Sequence, residues 1–295
     1  MKGLNVSVIR RAVSSEDSPR RVIDLTLRLT QRSVASEFKG TALGRLWSFI
    51  NPLATVAVFA LIFGVVFRGS VPPGRYSGID SFALWIGIGV ICWNFLSAGV
   101  INGMNAIVAN AGLLTKVYLP RQVLVYSAVL SLVVDFVFEL AVLVVIAVIA
   151  GGPRVLLMVP LLIVITALVA AFSMGLGMIL AAATVYFRDV AHLWQIFNQV
   201  WMYASGVVFS LSMLDQVQNR LFDMGWQFNG QPIPITTIFR LNPAETYLEA
   251  FRSCLYEFAV PSPGVWLACV VWGLGFFVFG HMVFNRISGR IVEEL

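Results

Sequence analysis

The feature that most constrains this chain is a set of long runs without charge. Leu46 to Phe67 and Ser81 to Thr115 contain no Asp, Glu, Lys or Arg, and neither does Val155 to Phe187. Gln122 to Gly152 carries only Asp135 and Glu139, Val190 to Leu214 only His192, and Pro261 to Asn285 only His281. A helix needs about 20 apolar residues to cross the hydrocarbon layer. Backbone polar groups in lipid must pair within their own segment, which makes these runs helices. The expected fold class is an all-α membrane protein with six transmembrane helices, at 46–67, 81–104, 122–150, 155–185, 190–213 and 261–285. Only 12% of the 295 residues are charged, against roughly 25% in soluble domains. This excludes a water-soluble globule, and the apolar content excludes a disordered chain.

The few charges orient the bundle. Most of the 20 basic residues fall in the first 45 residues, around Lys116 and Arg121, at Arg188 and in the C-terminal tail. By the positive-inside rule that side is cytoplasmic, so both termini are expected there, in a multi-pass protein of the plasma (inner) membrane. The domains expected are a cytoplasmic N-terminal segment, 1–45, and a six-span unit, 46–295. No cleavable signal peptide is expected, because the first 45 residues lack an apolar core of the required length. Ser18-Pro19 reads as a helix start. Val22, Ile23, Leu25, Leu27 and Leu29 follow among Arg20, Arg21, Arg28 and Arg32, the pattern of a basic amphipathic helix on the membrane surface. A soluble arm that only enforces topology is the alternative.

The external connection between the last two spans, 215–260, is too long for a passive turn. Asn242-Pro243-Ala244-Glu245 supplies a cap, a proline at the first helical position and an acid at the third. Leu248, Phe251, Leu255 and Phe258 then recur at helical spacing, with Glu249, Arg252 and Glu257 off that face. A re-entrant or interfacial helix over the outer mouth is expected.

Several chemistries are missing. None of the three lysines, Lys2, Lys39 and Lys116, stands in a GxxxxGK[ST] phosphate loop. Cys92, Cys254 and Cys269 are too scattered for a disulfide framework or a metal site. His192 and His281 are far apart, and no metal is expected. No basic solvated face points to nucleic acid. Asp135 and Glu139 lie one helical turn apart in the third span. Each would cost roughly 2.5–3.5 kcal/mol facing lipid, so they should face protein or water. A polar patch on a conduit and an interhelical contact are both open.

Four stretches carry a family resemblance. They are Ser36 to Trp47 with Asn51-Pro52-Leu53 (including Gly44), Asn110 to Arg121, Tyr186-Phe187-Arg188-Asp189-Val190, and Asn242-Pro243 through Phe251-Arg252. In this order, and with six spans, the chain resembles the transmembrane subunit of type-2 ABC transporters that export polysaccharides, the O-antigen, galactan, capsule and teichoic-acid group. The resemblance implies a homodimeric permease with no catalytic residues or ATP site. Two copies of a cytoplasmic ATPase subunit would bind ATP and Mg, and the cargo would be a glycan on a polyprenyl pyrophosphate lipid.

The resemblance also implies site roles. Gly112, Leu113, Leu114, Lys116, Tyr118, Pro120 and Arg121 would form the coupling segment that docks on the ATPase. Arg28, Arg32 and Lys39 would attract the lipid pyrophosphate, although positive-inside anchoring explains the same charges. Gly44, Trp47, Pro52, Arg188 and Asp189 would be structural motif residues. Asn242, Pro243, Glu245, Phe251 and Arg252 would belong to an external gate helix. A drug or small-lipid permease of the same fold, or a membrane-embedded transferase, are the rival readings.

Overall fold

The computed structural model describes residues 19–37, 43–62, 71–114, 119–209, 211–228 and 231–288. In chain order they form α1 (Pro19–Glu37), α2 (Trp47–Phe59), α3 (Phe82–Ala109), α4 (Ala111–Leu114), α5 (Gln122–Gly151), α6 (Val159–Tyr186) and α7 (Asp189–Tyr203). There follow α8 (Leu211–Asp223), a minimal hairpin of β1 (Gln227–Phe228) and β2 (Gln231–Pro232), α9 (Ile235–Arg240), α10 (Pro243–Leu255) and α11 (Pro263–Ser288). The structure is nearly all helical, as the charge-free runs predict.

Among the described residues four helices are long and apolar enough to cross a membrane: Phe82–Ala109, Gln122–Gly151, Pro153–Tyr186 and Pro263–Ile287. Their connections alternate between two ends of the bundle. Residues 110–114, 119–121 and 187–188 lie at one end; residues 71–81 and 152 lie at the other. α3 is the inner helix, with 78% of its apolar window buried, whereas α5 and α11 bury only 22% and present their outer faces to lipid.

Small residues set the spacing of the inner helices. Gly99 and Gly103 of α3 meet Ser173 and Gly177 of α6, so closely that a Cβ on Gly177 would lie 3.0 Å from Gly103 Cα. On its opposite side α6 meets α11 backbone to backbone. A Cβ at Gly175 would clash with the Phe276 carbonyl, and one at Gly280 with the Gly175 carbonyl. In lipid, where tails are as apolar as leucine, such close approach drives helix association. The GxxxG spacing of Gly99 and Gly103 is visible in the sequence, and the span reading passed over it.

The remaining apolar segments are shorter. Trp47–Ile62 is a 16-residue apolar helix that packs on α3 and α5 with Phe49 edge-on to Phe138. The expected span over 190–213 is helical only to Tyr203, after which the chain turns through 204–209. Gly206 makes that turn with φ +64°, a left-handed conformation natural to glycine. Ser205 and Val207 are fully buried, so the chain turns inside the bundle. Hydropathy cannot register such a turn, because its residues are as apolar as the helix before it.

α1 starts at Pro19, as expected. It packs along α5 through Leu29, Thr26 and Thr30, while Ile23 and Leu27 stay more than half exposed. The two threonines are buried because their hydroxyls donate to Val22 O at 2.7 Å and Thr26 O at 2.8 Å within the helix.

Candidate functional site

The re-entrant segment centres on α10, and it is buried on all sides. Ten of its 13 residues are buried, in contacts with α3, α6 and α11. Phe251 meets Phe136, the midpoint of α5, at 5.7 Å, and Tyr247 lies 5.8 Å from Phe172, the midpoint of α6. The helix thus reaches the middle of the bundle rather than lying over its mouth. Its start follows the sequence expectation, because Asn242 Oδ1 accepts from Ala244 N at 3.0 Å. The same side chain also ties the loop to α7. Asn242 Oδ1 accepts from Trp201 Nε1 at 2.9 Å, and Asn242 Nδ2 donates to Ala204 O at 2.8 Å. Pro243 holds the first helical position.

Arg252 was expected off the apolar face of this helix, and the structure corrects that: it is 7% exposed. Its guanidinium carbon lies over the Trp85 ring of α3, 3.4 Å from the ring centroid. Two of its N–H groups donate to Gly206 O and Val207 O, both at 2.9 Å. One cation therefore joins α10, α3 and the buried turn after α7. Glycines make room for it: a Cβ on Gly89 would strike the guanidinium, and one on Gly206 would strike the Glu245 carboxylate. Glu245 is 3% exposed, and burial pushes its carboxyl up to about 7 although the nearby Arg252 pulls the other way. Burial likewise lowers Arg252, to about 10. Neither Glu245 Oε2 nor Arg252 Nε has a hydrogen-bond partner among the described residues. The compartment is desolvated and charged, so its hydrogen bonds are strong and an unpaired group within it is costly.

α7 carries the second arrangement. Trp194, Asn198 and Trp201 face the protein, with Asn198 Nδ2 donating to Ser97 Oγ of α3 at 2.8 Å. Trp201 packs edge-on against Trp93 at 5.4 Å. The other faces are open. His192, Gln195, Gln199 and Tyr203 follow one another at three- and four-residue spacing as an exposed stripe, which places them on one side of the helix. This stripe offers amide, imidazole and phenol groups along the whole helix. The stripe is not legible in the sequence, because only the outward facing of Gln195 and Gln199 discloses it.

The other expected site residues are spread apart. Gly112, Leu113 and Leu114 form the short α4, with both leucines half-buried against the core. Pro120 and Arg121 lead into α5, half-buried, while Lys116 and Tyr118 lie outside the described residues. Arg28 is exposed and paired with Asp24 at 2.9 Å; Arg32 is exposed; Lys39 lies outside the described residues. Asp135 and Glu139 are half-buried on α5. Gly44 has φ +52°, Trp47 is 40% exposed, and Pro52 is buried inside α2. Arg188 and Asp189 are exposed at the start of α7. Among the described residues no three His, Cys, Asp or Glu side chains gather as a metal site.

Comparison with known proteins agrees with this geometry. The family described as "ABC-2 type transporter" matches residues 24–224, from α1 to the end of α8. The O-antigen export system permease protein RfbA of Myxococcus xanthus is 30% identical over 237 residues, covering 80% of this chain and 82% of its own. A protein of the same name from Klebsiella pneumoniae is 23% identical over 274 residues, 93% of this chain and 96% of its own. With the family match running through the α3–α6 seam and the α7 stripe, this chain is a multi-pass membrane protein that belongs to the ABC-2 type transporter family.

Proposed function

We propose that this chain is the permease subunit of an ABC exporter that moves a lipid-linked polysaccharide, of the O-antigen, galactan or teichoic-acid kind, outward across the plasma membrane. The observation that carries this reading is the exposed stripe of His192, Gln195, Gln199 and Tyr203 on α7. A glycan needs hydrogen-bond donors and acceptors together with rings for its C–H faces, and the stripe provides both inside a membrane protein. A small apolar drug or lipid needs neither. The printed names of the relatives point the same way.

In this reading two copies pair with their stripes across a shared conduit. Six spans are reached by adding the helix Trp47–Ile62 and α7 to the four long helices. Both termini and the 110–121 end are cytoplasmic. There α4, with Gly112, Leu113 and Leu114, docks with Lys116, Tyr118, Pro120 and Arg121 against a separate ATPase subunit that binds ATP and Mg. This chain supplies no ATP site. Arg28 and Arg32, exposed on α1, and Lys39 attract the pyrophosphate of the carrier lipid. Asp135 and Glu139 form a half-buried polar step on α5. Reaching the middle of the bundle from the outer side, α10 is the gate, seated by Asn242 and Pro243 and latched by Arg252, with Glu245 and Phe251 beside it. Arg188 and Asp189 start α7, and Gly44, Trp47 and Pro52 shape the entry to α2.

The double substitution Gln195→Leu, Gln199→Leu tests the conduit. Export should fall severalfold while membrane insertion and association with the ATPase subunit are kept. Export at the wild-type rate would remove α7 from the conduit.

A further inference from the structure

α3 is the most buried of the four long helices, and three of its sides are taken. Gly99 and Gly103 face α6, and Phe95 stacks on Phe136 of α5 at 4.1 Å. Trp93 and Ser97 meet Trp201 and Asn198 of α7. Successive side chains of a helix stand about 100° apart, which gathers Asn94, Ala98, Ile101 and Asn105 into a sector of about 60° on the side opposite Gly103. Val56 of α2 covers this side at Gly87, near the start of the helix. Beyond it Asn94 is exposed, and Ala98, Ile101 and Asn105 are half-buried, with Asn102 exposed at the edge of the row.

The row carries amides where a spanning helix has least use for them. Asn94 stands near the midpoint of the 28-residue α3. Among the described residues the amides of Asn94 and Asn105 make no hydrogen bond, and Asn102 Nδ2 donates to Ala98 O at 2.9 Å. Each asparagine offers two N–H donors and an accepting oxygen. Polar groups in a spanning helix face the bundle interior or a water-filled cavity.

The row also turns to the same side as Gln195 and Gln199 of α7. Trp93 meets Trp201 and Ser97 meets Asn198, so the two helices run antiparallel. Seen from the end where α3 starts, residues of α3 advance clockwise and those of α7 counter-clockwise, because both helices are right-handed. From Ser97 the row lies about 40–100° clockwise, and from Asn198 the two glutamines lie about 60–100° counter-clockwise. Both rotations lead to one side of the α3–α7 contact. The α3 row is the floor of a trough and the glutamines of α7 are its wall.

We propose that the row from Asn94 to Asn105 is a second polar surface of the conduit, hydrogen-bonding the hydroxyl groups of an extended glycan that α7 meets from the side. This rests on the permease reading above and carries it from α7 to α3. At 1.5 Å per residue the row follows a polymer for about 16 Å. A recessed floor suits an extended, hydrated chain, whereas a second helix packed on it would shut the amides away from water.

Thiol accessibility in membrane vesicles from the protein's own cells, supplied with ATP, tests the row. Cys92, Cys254 and Cys269 are all buried, so an added cysteine is read against a low background. Asn94→Cys and Asn105→Cys should react with a charged, water-soluble thiol reagent at least about tenfold faster than Val137→Cys, because the reacting thiolate needs water to form. Val137 lies on the outer face of α5 and is 53% exposed. If Asn94→Cys does not insert, Ala98→Cys on the same row makes the same test. The pair Asn94→Leu, Asn105→Leu should lower export severalfold with membrane insertion kept. Gln199→Cys reports on the α7 stripe separately. Slow labelling of both α3 variants with fast labelling at Gln199 would overturn the α3 row and leave the α7 conduit standing; slow labelling at all three positions would overturn both. Export at the wild-type rate by the leucine pair would also overturn the proposal.

Discussion

Replacing Arg252 by alanine is expected to cost roughly 3–5 kcal/mol of stability, the range for breaking a buried, hydrogen-bonded ionic contact. The substitution removes the stack on Trp85, which contributes about 2 kcal/mol when desolvated. It also leaves the Gly206 and Val207 carbonyls buried without a donor, at about 1–3 kcal/mol each. Relief of the arginine's own desolvation offsets part of the sum. Two further variants separate the contributions. Trp85→Leu should keep the hydrogen bonds to Gly206 and Val207 and lose the stack, together with the cost of the cavity that the smaller side chain leaves. Arg252→Lys should recover less than half of the loss, because an ammonium cannot stack flat and donate in a planar fork at once. Unfolding of the purified variants in mixed micelles measures all three. A stability for Arg252→Ala within about 1 kcal/mol of wild type would show that the latch carries little, because a change of that size is the common effect of an ordinary point mutation. Weakening the latch should also free α10, so the alanine variant is expected to make the resting membrane leaky to small solutes.

The second large effect is steric. Valine at Gly175 or at Gly280 should prevent α6 and α11 from packing and leave little folded protein in the membrane fraction. At both positions the new Cβ runs into backbone of the opposite helix, the carbonyls of Phe276 and Gly175 respectively. Backbone has no alternative rotamer, so the helices must separate along their length, beyond the 1–3 kcal/mol typical of an overpacked core. Gly275, on the same helix as Gly280, is the control. Nothing lies within 4 Å of a Cβ built there, and Gly275→Val should be recovered at close to the wild-type level. Gly103→Ala should fall between, its Cβ meeting Gly177 Cα at 3.1 Å. Yields measured by fluorescence size-exclusion chromatography should follow the order Gly275, Gly103, then Gly175 and Gly280. Loss of folded Gly275→Val alongside normal Gly280→Val would contradict the seam.

These two predictions also mark what can be read from the residues alone. The four long helices were legible because apolar runs of that length, with at most two carboxylates, have no other stable form in lipid. The start of α10 was legible because Asn242 and Pro243 act locally, within one turn of backbone. The burial of Arg252 was not, since its partners at Trp85, Gly206 and Val207 come from distant parts of the chain. A periodic face also assigns a charge to solvent by default. The end of α7 was hidden for a different reason: Ser205, Gly206 and Val207 are apolar or small, and only the φ of Gly206 separates a turn from a continuing span. Gly99, Gly103, Gly175 and Gly280 were on the page as letters, but which of 24 glycines meet another backbone depends on the packing of helices against one another.

The family is established by residues 24–224, and the cargo is the central claim. The direct measurement is to deplete this chain in its own cells, extract the lipid fraction and identify by mass spectrometry which polymer accumulates inside the plasma membrane. The account predicts a polysaccharide linked through pyrophosphate to an isoprenoid lipid, building up on the cytoplasmic side while its surface form disappears. Unchanged surface glycan, with no lipid-linked polymer retained, would contradict it.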